Sequence, residues 1–263
     1  MNYGFQNEYD FVKLFNNKYL FELDEKSQIF MKELFPNIIS DDEKIVSWKN
    51  KNMQKADIYV KYKNYVRGIS LKCGKNNSVH SEPIQEFKRY LEKLGIPLDI
   101  IKLYENYHYG YKRDSEGKID FEQRLTADEY KEFYQLELDI FNKYIDKTKI
   151  IVDMIDRFII RGKFSDYDID AFVSGTIDDY DWILKYDLYD LILSKRNVDY
   201  TSPHIACLTI GPKIRNVSGE SKYLGDRYVV AVRWSFIRED IINFKKRLQH
   251  HLDWFPSFFH NKN

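Results

Sequence analysis

Two β-type runs separated by only two residues constrain this chain more than any other feature. Ala56-Asp57-Ile58-Tyr59-Val60 leads on to Tyr62, and Tyr65 to Lys72 follows after Lys63-Asn64. Alternating β-branched and aromatic residues broken by a short polar pair predict a hairpin. Symmetric pairing about that turn sets Tyr62 opposite Tyr65 and Asp57 opposite Ser70. Side chains alternate with a period of two, so Lys72 shares the face of Ser70 and lies diagonally from Asp57, close enough for both to address one ion or phosphate. The other face, with Ile58, Val60, Ile69 and Leu71, is wholly apolar and predicts core. A plainer reading also fits: Asp57 and Lys72 as an ordinary exposed cross-strand ion pair, which contributes little to stability.

The flanking segments predict helices. From Tyr3 to Leu23 an apolar stripe includes Phe5, Phe11, Val12 and Phe15, and Glu8 falls on that stripe. A carboxylate on a core face is costly unless it is paired or holds a metal. Glu8 is therefore either a ligand, a helix-start acid favoured by the macrodipole, or the partner of a nearby cation. A second amphipathic piece, Glu25 to Leu34, stops before Pro36. Ile45-Val46-Ser47-Trp48 predicts a further strand. After Lys72, Ser81-Glu82-Pro83 reads as a helix start with Ser81 as N-cap and a buried stripe of Ile84, Phe87, Leu91 and Leu94. Glu82 and Glu86 lie near the strand that carries Lys72.

Bulk properties exclude several classes. No stretch reaches the roughly 18 consecutive apolar residues of a membrane span, and the first residues lack a secretory plan, so the chain reads as cytoplasmic without a membrane partner. Cys73 and Cys207 are too few and too far apart for a disulfide framework or a structural zinc site. With 41 basic and 41 acidic residues, the protein does not coat nucleic acid through bulk charge. The distribution is uneven: 20 acids against 10 bases from Asp114 to Asp190, but 4 against 9 from Pro203 to Gln249. A phosphate-facing surface is better sought near the ends of the chain.

The middle, about 97–198, predicts mainly helix rich in Tyr, Asp and Glu. Asp166, Asp168 and Asp170 invite comparison with a calcium loop, but Ala171 and Ile177 stand where Gly and Glu are needed, leaving a solvated acidic loop. The strands return at His204–Ile210 and Arg227–Trp234, before a helix from about Arg238 to Leu252. Between those strands lie Lys213, Arg215 and Lys222, a spacing that suits phosphate contacts. The fold class is α/β, as one domain over 1–263 with core elements at about 1–95 and 200–252 and a large, mainly helical insertion between them.

With these residues assembled, the region from Glu8 to Glu86 resembles the PD-(D/E)XK nucleases, which include many type II restriction endonucleases. The resemblance implies a restriction-endonuclease-like core, a mixed central β-sheet flanked by helices. The family pattern has an acid two residues before the lysine, where this chain has Ser70, and Ala56 replaces the proline before Asp57. A subgroup of these enzymes has Ser-x-Lys and takes the displaced acid from the following helix. Glu86, fourteen residues after Lys72, suits that role and Glu82 is the reserve. The resemblance implies an Mg²⁺-dependent endonuclease of double-stranded DNA, with Mn²⁺ able to substitute, acting as a homodimer. Asp57, Glu86, Glu8 and Glu82 would be the metal ligands, and Lys72 would act on the attacking water. Lys75, Asn76, Asn77 and Ser78 would meet the DNA backbone together with Lys213, Arg215 and Lys222. The loss of the second acid leaves open a different outcome, a catalytically inactive nuclease-like DNA-binding or recognition module.

Overall fold

The computed structural model describes residues 3–51, 55–74, 77–113, 116, 119–162, 168–196, 202–214 and 228–254. It is a mixed α/β protein whose contacts divide the chain into two compact units, residues 1–77, 160–191 and 236–263 in one and 78–159 and 192–235 in the other. Both units are discontinuous in sequence.

The first unit is built on a mixed five-stranded sheet. Helix α1 (Tyr3–Phe15) is followed by a 3₁₀ turn (Leu20–Glu22) and α2 (Glu25–Leu34). Strands β1 (Val46–Lys49), β2 (Ile58–Tyr62) and β3 (Tyr65–Lys72) form an antiparallel meander, in which β2 and β3 pair in the register read from the sequence, with Tyr62 paired to Tyr65 and Ile58 to Ile69. The ladder continues one step past β2, where the Asp57 amide donates to the Ile69 carbonyl at 2.9 Å. Ile58, Val60, Ile69 and Leu71 are all buried on the side covered by α1, as their apolar alternation requires.

The 97–198 stretch is not simply helical. It contains β7 (Ala171–Thr176) and β8 (Asp179–Leu184), and β7 pairs in parallel with β3 while β8 pairs antiparallel with β7, giving the order β1-β2-β3-β7-β8. Helix α7 (Lys185–Leu193) begins where β8 ends, and α8 (Ile237–Trp254) rests on β7 and β8. Ala171-Phe172-Val173 is too short an apolar run to identify as a strand without its partners, since a buried helical turn looks the same.

Helix α1 ends eight residues earlier than its stripe predicts. Asn17 adopts φ +61 and its amide donates to the Ile45 carbonyl, which joins the chain to the start of the β-meander. Phe11 and Phe15 are fully buried, but Phe5 is exposed beneath the Lys49 ammonium rather than packed in the core. Gly175 holds φ +125, and a Cβ there would lie 2.2 Å from the Asp179 carbonyl oxygen, so glycine is obligatory in this β7–β8 hairpin.

The second unit has an antiparallel sheet of order β4-β11-β10-β9, made from β4 (Ser78–Pro83), β9 (His204–Ile205), β10 (Leu208–Ile214) and β11 (Tyr228–Arg233). Ser81 and Glu82 are strand residues here, not a helix cap. Pairing of Ser81 with Ala231 and of Glu82 with Val230 draws this segment into the sheet, so tertiary pairing overrides the capping signal and α3 (Ile84–Lys93) starts after Pro83. Helix α3 packs on β4 and β11. Helices α4 (Leu98–Tyr109), α5 (Ala127–Ile145) and α6 (Thr148–Ile155) complete the unit with a small β5–β6 hairpin (Tyr111–Arg113 and Ile119–Arg124), and a π-helical turn at Asp156–Arg161 follows α6 in the chain. No helix among the described residues is long and apolar enough to cross a membrane.

Candidate functional site

The Asp57 carboxylate is tied to the strand that carries Lys72. Its Oδ2 accepts from the Leu71 amide at 2.6 Å and from the Ser70 hydroxyl at 3.1 Å, while Oδ1 takes part in neither bond. Ser70 is almost wholly buried, so its hydroxyl finds in Asp57 the partner that burial demands. Ser70 thus holds the Asp57 carboxylate in position. Lys72 is half-buried at the end of β3, level with Ser174 of the parallel strand β7.

Glu8 comes to the same end of the sheet from α1, which Asn7 anchors by donating its side-chain amide to the Gly175 carbonyl at 3.1 Å. The Glu8 carboxylate lies 2.6 Å from the Lys49 ammonium, which explains its tolerance on a partly buried helical face. Cys73 reports how these groups gather. Burial pushes its thiol up; Lys72 opposes that shift, while Glu8 and Asp57 add to it. One residue therefore feels all three charges. No disulfide joins Cys73 to Cys207.

Two further lysines belong to this neighbourhood, and neither stands out in the sequence. Lys49 ends β1 and Lys55 lies in the polar stretch between two β-type runs. Burial pulls the Lys55 amine down to about 7, with repulsion from Lys72 adding to the fall and attraction to Asp57 opposing it. The only sequence signal for Lys55 is its position two residues before Asp57. On the same pleat as Asp57, Tyr59 stacks on Trp48 with ring centroids 5.7 Å apart, over a β3 backbone kept bare by Gly68.

Glu82 and Glu86 lie in the second unit. Glu82, only 2 % exposed, forms an ion pair with Arg157 and has His80 Nε2 at 3.5 Å. Burial pushes its carboxyl up, but bonding and charge from His80 and Arg157 prevail and hold it below the ordinary carboxylate range. It is engaged as a structural anion. Glu86 lies half-buried in the first turn of α3. Asp168 and Asp170 are not a solvated loop: Asp168 pairs with Lys185 and Arg161, and Asp170 with Arg67 at 2.9 Å. These side chains line a cleft of about 790 Å³ in the first unit, floored by Tyr59 and Gly68.

Of the residues expected at DNA, Asn77 and Ser78 are half-buried beside β4 and Lys213 is exposed on β10. Lys75, Asn76, Arg215 and Lys222 lie outside the described residues, as does Asp166. Among the described residues, no three His, Cys, Asp or Glu side chains come together as a metal-holding group. No family model and no curated protein matches this sequence.

Proposed function

We propose that the first unit is a metal-dependent nuclease that hydrolyses phosphodiester bonds of double-stranded DNA, of the PD-(D/E)XK kind and restriction-like. The observation that carries this reading is the fixed relation of Asp57 to Lys72: the acid is bonded to Ser70 and Leu71, and Lys72 is the next residue. The antiparallel meander followed by a strand parallel to β3 supports it. So does Glu8, which shares the electrostatic surroundings of Cys73 with Asp57 and Lys72.

The donors suit Mg²⁺ in kind. Mg²⁺ keeps several waters and binds through one or two carboxylates plus substrate phosphate oxygens, so it does not require a cage of three acids. Asp57 would hold it through the oxygen not bonded to β3, with Glu8 as the second carboxylate. When bound, the ion would supply charge neutralisation at the scissile phosphate and a more acidic water. The chain's own contribution is positional. Lys72 orients the attacking water against the phosphate, Ser70 and the Leu71 amide keep Asp57 from rotating, and Lys49 competes for Glu8 until substrate phosphate draws the lysine away. Cutting both strands of a duplex calls for two such centres, and hence a homodimer.

A second reading, a recognition module without catalysis, is favoured by a separate observation: Ser70 stands where the family pattern has its second acid, and its hydroxyl is bonded to Asp57. The test is incubation of mixed-sequence plasmid and genomic DNA with Mg²⁺ or Mn²⁺. Discrete fragments that vanish for Lys72→Ala and Asp57→Asn support the nuclease. DNA binding without cleavage supports the recognition module, and neither cleavage nor binding removes both readings.

A further inference from the structure

We infer that the cleft of the first unit receives one unstacked purine base, guanine before the others. Strand β7 begins beside Ile69, so Val66, Arg67 and Gly68 of β3 run past it, and they line the cleft of about 790 Å³. Its size is that of a ligand site. Leu34, Val66 and Leu184 give it apolar walls, and the largely exposed ring of Tyr186 offers a surface on which a base can stack. The polar groups are few and already held. Asp170 accepts from Arg67 Nη1 at 2.9 Å and from the Gly68 amide at 2.8 Å, and Asp168 pairs with Arg161 Nε and with Lys185. The Arg67 guanidinium also lies over the Phe35 ring. Each guanidinium is thus fixed in place with N–H groups that its carboxylate does not take.

Charge and donor type select the ligand. The three cations are balanced by Asp168, Asp170 and Glu33, which line the same cleft, so a free anion such as phosphate gains no net attraction there. The spare N–H groups call instead for acceptors on a neutral molecule, and the apolar walls call for a flat one. Guanine meets both conditions, because its O6 and N7 stand side by side as the acceptor pair that one guanidinium grips with two bonds. Tyr59, on the floor of the cleft, is two residues from Asp57 on the same pleat, about 7 Å along the strand. A base turned out of DNA at the proposed cutting end would have the cleft beside it on one face of the sheet. Only this DNA source rests on the proposed function; the binding of the base does not.

The test is isothermal titration of the full chain, without metal, by guanosine, adenosine, cytidine, thymidine and inorganic phosphate in turn. The expected result is that guanosine binds most tightly and that phosphate does not compete with it. Arg161→Met leaves Asp168 paired with Lys185 and should weaken guanosine about tenfold. Val66→Trp, at an exposed strand position, should fill the cleft and abolish binding with the circular dichroism spectrum unchanged. A duplex with one bulged guanosine, whose base costs little to extrude, is then compared with its fully paired form. Tighter binding of the bulged duplex, lost in Val66→Trp, supports the cleft and assigns the base to DNA; guanosine binding without that preference supports it and assigns the base to free nucleosides or nucleotides. No nucleoside binding up to millimolar concentration, equal binding of phosphate, or guanosine binding that survives Val66→Trp would each overturn the inference. Cleavage enters none of these titrations, so a failed nuclease and a failed base site are told apart.

Discussion

On the proposed function, Asp57 would carry two roles, an anchoring one and a metal-holding one, that substitution can separate. Replacing it with alanine removes the acceptor of the Leu71 amide and of the Ser70 hydroxyl, the first 2.6 Å and the second 3.1 Å away. Ser70 is 1 % exposed, so water does not replace the lost partner without rearrangement. Both bonds are accepted by a charged carboxylate, and a hydrogen bond to a charged group contributes roughly 1.5–3 kcal/mol, so Asp57→Ala should cost about 3 kcal/mol or more of folding stability. Asp57→Asn would keep a carbonyl oxygen in the same place and lose only the charge assistance, about 1 kcal/mol. For cleavage the order is different: both changes remove the anionic ligand, and each should lower the rate at least about a hundredfold. Urea denaturation followed by circular dichroism measures the first quantity and plasmid cleavage the second. Equal stability of the two variants would refute the anchoring role, and an Asp57→Asn variant that cuts at the native rate would remove Asp57 from the chemistry.

The buried Glu82–Arg157 pair in the second unit gives a prediction with a pH sign. Arg157→Met leaves an anion at 2 % exposure and should cost about 3 kcal/mol at neutral pH, while Glu82→Leu with Arg157→Met should recover most of that loss in urea titrations. Because the folded state holds Glu82 below its ordinary value of 4.5, the pair's stabilisation is fully present above that value and fades as pH falls through the lowered one. Comparison of wild type and the double variant through that acid range should show stability converging, and parallel curves would contradict it. Gly175→Ala should destabilise the first unit by about 2 kcal/mol or more in thermal melts, since both the positive φ and the Asp179 carbonyl oppose a side chain. A neutral substitution would mean that the β7–β8 hairpin is differently built.

The hairpin of β2 and β3 was legible because its information is local. A two-residue turn fixes register, and register fixes which side chains share a face, so Asp57, Ser70 and Lys72 could be related before any tertiary contact was known. Glu82 misled for the opposite reason. Ser81-Glu82-Pro83 satisfies every local rule for starting a helix, yet its pairing partners, Val230 and Ala231, lie about 150 residues away in sequence. The parallel strand β7 was hidden similarly, its short apolar run interpretable only beside β3. Lys55 and Lys49 escaped notice because a lysine's perturbation depends on what buries it. Phe5 stood in the predicted stripe but is exposed, since the stripe outlasts the sheet that α1 covers.

The parallel pairing of β3 with β7 has a consequence for biosynthesis. Ninety-eight residues separate Lys72 from Ala171, and the sheet of the first unit rests further on α8, which begins at Ile237. A ribosome must therefore translate past Ile237 before that sheet has all its strands and its closing helix. Until then β3 has an open edge, and the end of the sheet around Asp57 and Lys72 lacks Ser174 and the Gly175 anchor for α1. An enzyme that cuts DNA endangers the cell that makes it. On the proposed function, the winding of this chain delays assembly of the cutting end until β7 and α8 have been made.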